Sequence, residues 1–184
     1  AVYCFTTYTC SARYRTNMSD FPLIRIGLGH DTHRLGEGGP MKLGGITIDC
    51  DFHLIGHSDA DVLLHAITDA ILGAACLGDI GTLFPDTAEE NENRCSQEML
   101  RLAHAKILEA GWKIINLDCV IFATQPKISP CRDTMIECIR KILGLNDGQV
   151  FVKGKTGEKV GPVGRCEAIV AECVALLHKV SVRN

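Results

Sequence analysis

The sequence predicts an α/β (α+β) fold: a single-domain two-layer sandwich in which helices cover a mixed β-sheet. Three observations carry that expectation. β-rich segments alternate with segments of helical spacing over residues 23–184, and strands interleaved with helices pack as a helix layer on a sheet. No internal repeat or low-complexity linker occurs after residue 22. The length, 184 residues, suits one domain with a tail.

Residues 1–22 are set apart from the domain as a disordered tail or transit-peptide remnant. They carry Arg13 and Arg15, many Ser and Thr residues, and no acid before Asp20, which is the composition of an organelle transit segment. Leu23 to Leu28 then reads as a short strand, followed by a glycine-rich loop from Gly29 to Gly39. Met41 to Ile48 reads as a second strand, with Gly44-Gly45 as a bulge or turn. Ser58 or Asp59 caps a helix that runs to about Leu77 and is ended by Gly78. Val62, Ala66, Ile67, Ala70, Ile71 and Ala74 recur there at helical spacing.

Asp79 to Asp86 reads as a loop. Ser96 caps a second helix that extends to Ala110 and stops at Gly111. Trp112 to Phe122 is β-rich, and Pro126 breaks the chain direction soon after it. Ser129-Pro130 opens a helix with proline at its first position, ending near Gly144. Val150 to Lys153 is a strand, and Gly154 to Gly164 a flexible charged loop. Ala168 to Val180 fits either a strand or a helix.

Composition removes several function classes. Hydrophobic residues make up 46% and charged residues 22%, ordinary for a globular chain. A net charge of −3 lacks the clustered Lys and Arg of a nucleic-acid binder. No apolar run reaches membrane-spanning length. The expected partners therefore include no nucleic acid and no membrane. The ten cysteines form no C-x-x-C pair, and most lie in apolar runs, where free Cys acts as a small hydrophobe. They read as reduced.

The chemistry concentrates in four places. Asp31 and His33, two residues apart in an extended segment, point the same way. His65, on a helix, supplies a third ligand, and one carboxylate with two imidazoles suits zinc with its fourth position open. Asp61, His65 and Asp69 share one helix face, so either aspartate suits the ring N–H of a ligating histidine. A solvated polar face reads from the same spacing. His57-Ser58 precedes that helix, where free N–H groups hold anions, although Ser58 also serves as an ordinary cap. Asp79, Gly81, Phe84 and Asp86 suit a polyol or an ordinary turn. Lys153 to Lys159, with Lys155, Thr156 and Glu158, suits phosphates and a hard cation, or a solvated turn. His30, His53, His104 and His178 are expected to have no metal role.

The strings RIGLGHDTHR, LIGHSDADVLLHAITDAILGAACLGDIGTLFPDT and KTGEK closely resemble the 2-C-methyl-D-erythritol 2,4-cyclodiphosphate synthase family of the non-mevalonate isoprenoid pathway, from about Arg25 to Val180. The resemblance implies a homotrimer with active sites at subunit interfaces. It implies Zn²⁺, one per subunit, on Asp31, His33 and His65, and Mg²⁺ or Mn²⁺ with the substrate diphosphate, helped by Glu158. Thr156 joins these four as a catalytic residue and contacts the diphosphate. His57 and Ser58 contact phosphates, and Asp79, Gly81, Phe84 and Asp86 hold the methylerythritol part. Ala123 and Lys127 cradle cytosine, mostly from an adjacent subunit, and Arg165 belongs to the substrate-binding set. Lys155 and Gly157 depart from the threonines many relatives carry, and Pro162 stands where some bacterial relatives place an aromatic. The implied reaction converts 4-diphosphocytidyl-2-C-methyl-D-erythritol 2-phosphate to the cyclic diphosphate and CMP, as a phosphorus–oxygen lyase. With the pathway, the tail implies a soluble protein of a plastid-type organelle, chloroplast or apicoplast. A zinc hydrolase, or a binding protein whose zinc only ties subunits together, ranks below this reading.

Overall fold

A computed structural model describes residues 23–85, 88, 91 and 94–180. Strand β1 runs from Ile24 to Glu37, straight through the stretch expected to be a glycine-rich loop. The glycines provide room and not a turn. A β-carbon on Gly27 would lie 2.0 Å from the Ala70 carbonyl oxygen, and one on Gly29 would lie 1.9 Å from that of Ala66. Only glycine lets helix α1 (Val62–Ala75) lie this close to the strand.

β1 pairs antiparallel with β4 (Phe52–Ile55) at one end and with β7 (Ala168–Lys179) along its length. β7 pairs antiparallel with β5 (Trp112–Phe122), and β5 pairs in parallel with β6 (Val150–Lys155). The order β4-β1-β7-β5-β6 makes a mixed five-stranded sheet. The segment from Ala168 is thus a strand. Its inward residues Ile169, Ala171, Cys173, Ala175 and Leu177 are all fully buried, the two-residue period of a sheet.

The expected second strand folds back on itself. β2 (Met41–Leu43) and β3 (Ile46–Ile48) form a separate hairpin. Gly44 and Gly45 have φ of 63° and 78°, and two positive φ values in a two-residue turn match the strand twist. This hairpin sits on the start of α1. The fully buried Asp61 carboxylate accepts the Gly44 and Gly45 N–H groups at 2.8 and 2.6 Å and the Leu64 N–H at 3.1 Å. Asp61 therefore caps α1, where Ser58 or Asp59 was expected, because it alone joins the hairpin to the helix. Burial pushes its carboxyl above the ordinary value, against the pull of those backbone donors.

Twelve of the fourteen α1 residues are buried, so the helix is enclosed and carries no solvated polar face. Asp61 is tied up in the hairpin, and Asp69 accepts the Ile80 N–H at 2.7 Å. Neither aspartate bonds to His65 as the shared-face reading expected. Leu63, Leu64, Ile67, Ile71 and Leu72 are fully buried, each worth about 1.5–3 kcal/mol.

The remaining boundaries shift by a few residues. α3 spans Ser96–Glu109 with Cys95 at its cap position, so Ser96 lies inside the helix. α4 spans Arg132–Leu143, with Ser129-Pro130 in the preceding turn and Gly144 closing it at φ 63°. Its Met135, Ile139 and Leu143 face the core at four-residue spacing. A short α2 (Ile80–Leu83), capped by Asp79, occupies the expected Asp79–Asp86 loop. β6 runs two residues further than expected, and a one-turn α5 (Gly161–Gly164) lies within the expected flexible loop.

The helices cover one face of the sheet. On the other face Ile26 is 71% and Leu28 66% exposed, with Ile24, Val174 and Phe151 also exposed. Among the described residues no helix is long and apolar enough to cross a membrane. The eight described cysteines are free.

Candidate active site

The site grows out of the close packing of α1 on β1. The helix-facing residues of β1 run Gly27, Gly29, Asp31, His33. Along them α1 presents Ala74 and Ala70, then Ala70 and Ala66, then His65. The two glycines thus set the depth at which His65 meets the strand. His65 Nδ1 lies 2.9 Å from Asp31 Oδ2. His33 Nε2 lies 3.0 Å from the same oxygen and 3.2 Å from His65 Nδ1. Among the described residues this is the grouping of His, Cys, Asp and Glu able to hold a metal ion.

The triangle suits a cation. A tetrahedral ion bonded at 2.0–2.2 Å sets neighbouring ligand atoms about 3.3–3.6 Å apart, a slight spreading of this triangle. His33 Nδ1 lies 2.8 Å from the Ile55 carbonyl oxygen. Only an N–H makes that bond, so the His33 Nε2 lone pair is free to face the triangle. Burial raises the Asp31 carboxyl, but until a cation displaces the protons shared in the triangle, hydrogen bonds and charge from His33 and His65 outweigh it and hold Asp31 well below the usual carboxylate range. Burial alone would lower His33, and Asp31, with the Ile55 carbonyl and the Asp61 charge, outweighs it, lifting the imidazole above its ordinary value. A carboxylate held ionised between two imidazoles is a cation site by its charge.

The triangle opens onto a pocket of about 450 Å³ that His57, Ser58, Gly81 and Phe84 also line. Asn91 and Met99 line it too, and nothing in the sequence pointed to either. Phe84 is buried, with the Arg94 guanidinium 5.0 Å above its ring. Asp79 stands at the head of α2 and accepts the Thr82 N–H at 2.7 Å. Hydrogen bonds from Thr82 hold its carboxyl below the ordinary value. Asp86 lies outside the described residues.

A second pocket, of about 150 Å³, lies where the parallel β5 and β6 end. Carboxyl ends of parallel strands are where open sheets bind ligands. Ala123, Lys127 and Thr156 line it, with Arg132 as an unexpected cation. The turn beyond is held tightly, since a β-carbon on Gly157 would lie 2.5 Å from the Gly164 nitrogen. The Thr156 hydroxyl donates to Glu158 at 3.3 Å, and Glu158 and Lys159 have φ of 47° and 63°. Arg165 is bound by both oxygens of Glu167, at 2.7 and 2.9 Å. Glu158 and Arg165 line neither pocket.

One chain keeps the two pockets apart. β1 and β6 are separated by β7 and β5, three strand spacings or about 14 Å. A contact behind His65 also has no sign in the sequence. The ring Nε2 lies 2.8 Å from Ser96 Oγ and 3.1 Å from Ser58 Oγ, and Ser96 is in turn bonded to Asp59. Ser96 and Asp59 read as helix caps, and a bond across 37 residues has no local signature.

Comparison with known proteins gives a consistent result. The YgbB family model matches residues 24–178. The 2-C-methyl-D-erythritol 2,4-cyclodiphosphate synthase of Chromobacterium violaceum is 55% identical over 155 residues, 84% of this chain and 98% of that protein. The synthase of Gemmatimonas aurantiaca is 51% identical over 147 residues, 80% of this chain and 89% of that protein. Among solved structures, the IspF–CDP complex of Plasmodium falciparum has a TM-score of 0.77 and 36% identity, covering 88% of this chain and 99% of that one. The bifunctional IspDF of Campylobacter jejuni has a TM-score of 0.84 and 40% identity. The match covers 88% of this chain and 44% of that longer protein.

Proposed function

The chain belongs to the YgbB family, and from that membership we propose that it is an isoprenoid-pathway enzyme cyclising 4-diphosphocytidyl-2-C-methyl-D-erythritol 2-phosphate to 2-C-methyl-D-erythritol 2,4-cyclodiphosphate, with release of CMP. Its closely similar relatives carry the name of that synthase. The observation that carries the reading is the Asp31–His33–His65 triangle opening onto a pocket that His57 and Ser58 line.

The substrate brings its own nucleophile. A phosphate monoester is largely dianionic near neutral pH, its second pKa being about 6, so no protein nucleophile is required. In this phosphorus–oxygen lyase reaction the 2-phosphate oxygen attacks the β-phosphorus of the diphosphate, a P–O bond forms, and the bond to CMP breaks. The protein's work is to hold the ends together and meet their charge. Asp31, His33 and His65 would hold Zn²⁺, and Glu158 would help hold Mg²⁺ or Mn²⁺ with the diphosphate. When bound, such ions supply Lewis acidity and a template for the phosphates.

This chain's residues then divide the substrate between the pockets. His57 and Ser58 take a phosphate beside the triangle. Asp79, Gly81, Phe84 and Asp86 receive the methylerythritol part, the carboxylates accepting hydrogen bonds from its hydroxyls and the ring covering carbon. Ala123, Lys127 and Thr156 receive cytidine and its diphosphate. Arg165 stays in the substrate-binding set although Glu167 holds it here.

A complete site then needs more than one chain, and a homotrimer with sites between subunits supplies it. Two features support this: the gap between the pockets on one chain, and the bare apolar sheet face with Ile26 and Leu28. That face is too apolar to suit water alone. For residues 1–22, outside the described residues, composition supports a targeting segment, and the proposed pathway is the ground for a plastid-type destination.

The deciding experiment incubates the protein with the cytidylyl substrate and divalent metal and follows phosphorus by NMR. Cyclic diphosphate and CMP are expected. Linear phosphate products would make the chain a hydrolase.

A further inference from the structure

We propose that Ser96 and Asp59 are positioning residues for the metal centre. A hydrogen-bond relay from Asp59 through Ser96 holds His65 in the tautomer whose proton is on Nε2 and whose Nδ1 lone pair faces Asp31 and His33. This relay rests on the metal reading above and extends it to two residues that touch neither ion nor substrate.

The count of protons decides the tautomer. Ser96 is fully buried and His65 is 8% exposed, so their polar groups must satisfy one another. The Asp59 carboxylate accepts the Ser96 N–H at 3.2 Å on one oxygen and the Ser96 hydroxyl on the other. A hydroxyl has a single proton, and an ionised carboxylate is its strongest available acceptor. Toward His65 Nε2, 2.8 Å away, Ser96 Oγ therefore offers only a lone pair. The bond forms only if Nε2 carries the proton. A neutral imidazole has one N–H, so with a cation in the triangle Nδ1 presents its lone pair to it, 2.9 Å from Asp31 Oδ2 and 3.2 Å from His33 Nε2.

The competing arrangement shows why the relay matters. With the proton on Nδ1, His65 would donate to Asp31, and Ser96 would turn its hydroxyl to Nε2. Both bonds would be made, but the proton would sit where a cation must bind. Asp59 removes that option by claiming the hydroxyl proton. It also serves α3, whose cap residue Cys95 makes no side-chain bond, by accepting the Ser96 N–H. The same Nε2 lies 3.1 Å from Ser58 Oγ, which also accepts the Ala60 N–H at 3.1 Å. Ser58 keeps its own proton for the pocket. His33 is fixed in parallel by the Ile55 carbonyl, so both imidazoles present lone pairs to one point.

The test compares wild type, Ser96→Ala, Ser96→Thr and Asp59→Asn by zinc competition with a chromophoric chelator. Ring ¹⁵N shifts of His65 are read in the chelator-stripped full chain. Ser96→Ala is expected to lose about 10–100-fold in zinc affinity, the usual cost of losing a partner behind a metal ligand, and to shift His65 toward the Nδ1–H form. Ser96→Thr keeps the hydroxyl and should restore both. If Ser96→Ala does not fold, Asp59→Asn carries the same test, with the same direction and a smaller change. Wild-type affinity and an unchanged tautomer in these variants would overturn the relay. If wild type itself takes up no zinc, the metal reading fails, and the ¹⁵N shifts still decide the relay.

Discussion

The two pockets assigned to the candidate site are built on different plans. The metal pocket has a preset centre: its three ligand atoms sit 2.9–3.2 Å apart, backed by a carbonyl, two serines and an aspartate. The β5–β6 pocket is a third of the size, lined by Lys127 and Arg132, with the strained Glu158 turn just beyond. A site whose geometry must be set before any ligand arrives is made inside one chain, by helix–strand packing. A site that grips a nucleotide can be left open, to be completed across an interface. On the proposed reading, the metal pocket should therefore fail through packing, and the β5–β6 pocket through assembly.

The largest expected effect comes from adding one methyl group under α1. In Gly29→Ala the new β-carbon would meet the Ala66 carbonyl oxygen at 1.9 Å, so the helix must retreat by about 1 Å or more to restore contact distance. Overpacking of this kind costs about 1–3 kcal/mol, and His65 moves off the triangle with the helix. Metal analysis should find little bound zinc, activity should drop by at least a hundredfold, and the melting temperature should fall. Full zinc content in a well-folded Gly29→Ala protein would show that the glycine does not set the His65 position.

Next comes the bare sheet face. A double variant, Ile26→Glu and Leu28→Glu, places like charges on the most exposed apolar side chains of β1. Light scattering should find monomers, and turnover should be lost while each chain still binds one zinc. That split between zinc and activity is the sharpest form of the contrast between the pockets. A verified monomer with full turnover would mean that one chain completes the site alone.

The same contrast explains what could be read from sequence. D-x-H on an extended segment plus a helical histidine pointed to the triangle because side-chain direction in strands is a local rule. The glycines around it misled the fold reading. Gly27 and Gly29 look like loop residues by composition, and only the helix lying across them shows that they make room. Asp61 was legible as a polar helix residue, yet its real partners are a hairpin 16 and 17 residues back. Ser96, Asp59 and Arg132 act through contacts across long stretches of chain or at a pocket formed by two parallel strands. No periodicity reports those. The strand or helix ambiguity at Ala168 has a different source: the outward-facing Val170, Val174 and Leu176 are apolar like the inward residues, so the sequence shows no clear alternation.

The smallest expected effect concerns Glu158, on the open side of the comparison. Glu158 and Lys159 both hold left-handed backbone at φ 47° and 63°, a conformation that costs a non-glycine residue on the order of 1–3 kcal/mol. Glycine would adopt it freely, at an added cost of about 0.4–1 kcal/mol in unfolded-chain entropy. Glu158→Gly should therefore be neutral or stabilising by about 1 kcal/mol, whereas Glu158→Gln keeps the strain and should leave stability unchanged. If the carboxylate helps hold a divalent ion with the diphosphate, both variants need more Mg²⁺ for half-maximal turnover, because neither an amide nor a hydrogen atom replaces an anionic oxygen ligand. Zinc content should be untouched in both, since Glu158 lies outside the triangle. Titrating activity against Mg²⁺ alongside denaturant melts separates the two contributions. Superimposable Mg²⁺ curves for wild type and Glu158→Gln would remove Glu158 from the metal chemistry. A Glu158→Gly protein less stable than wild type would mean that the Thr156–Glu158 bond is worth more than the backbone strain it accompanies.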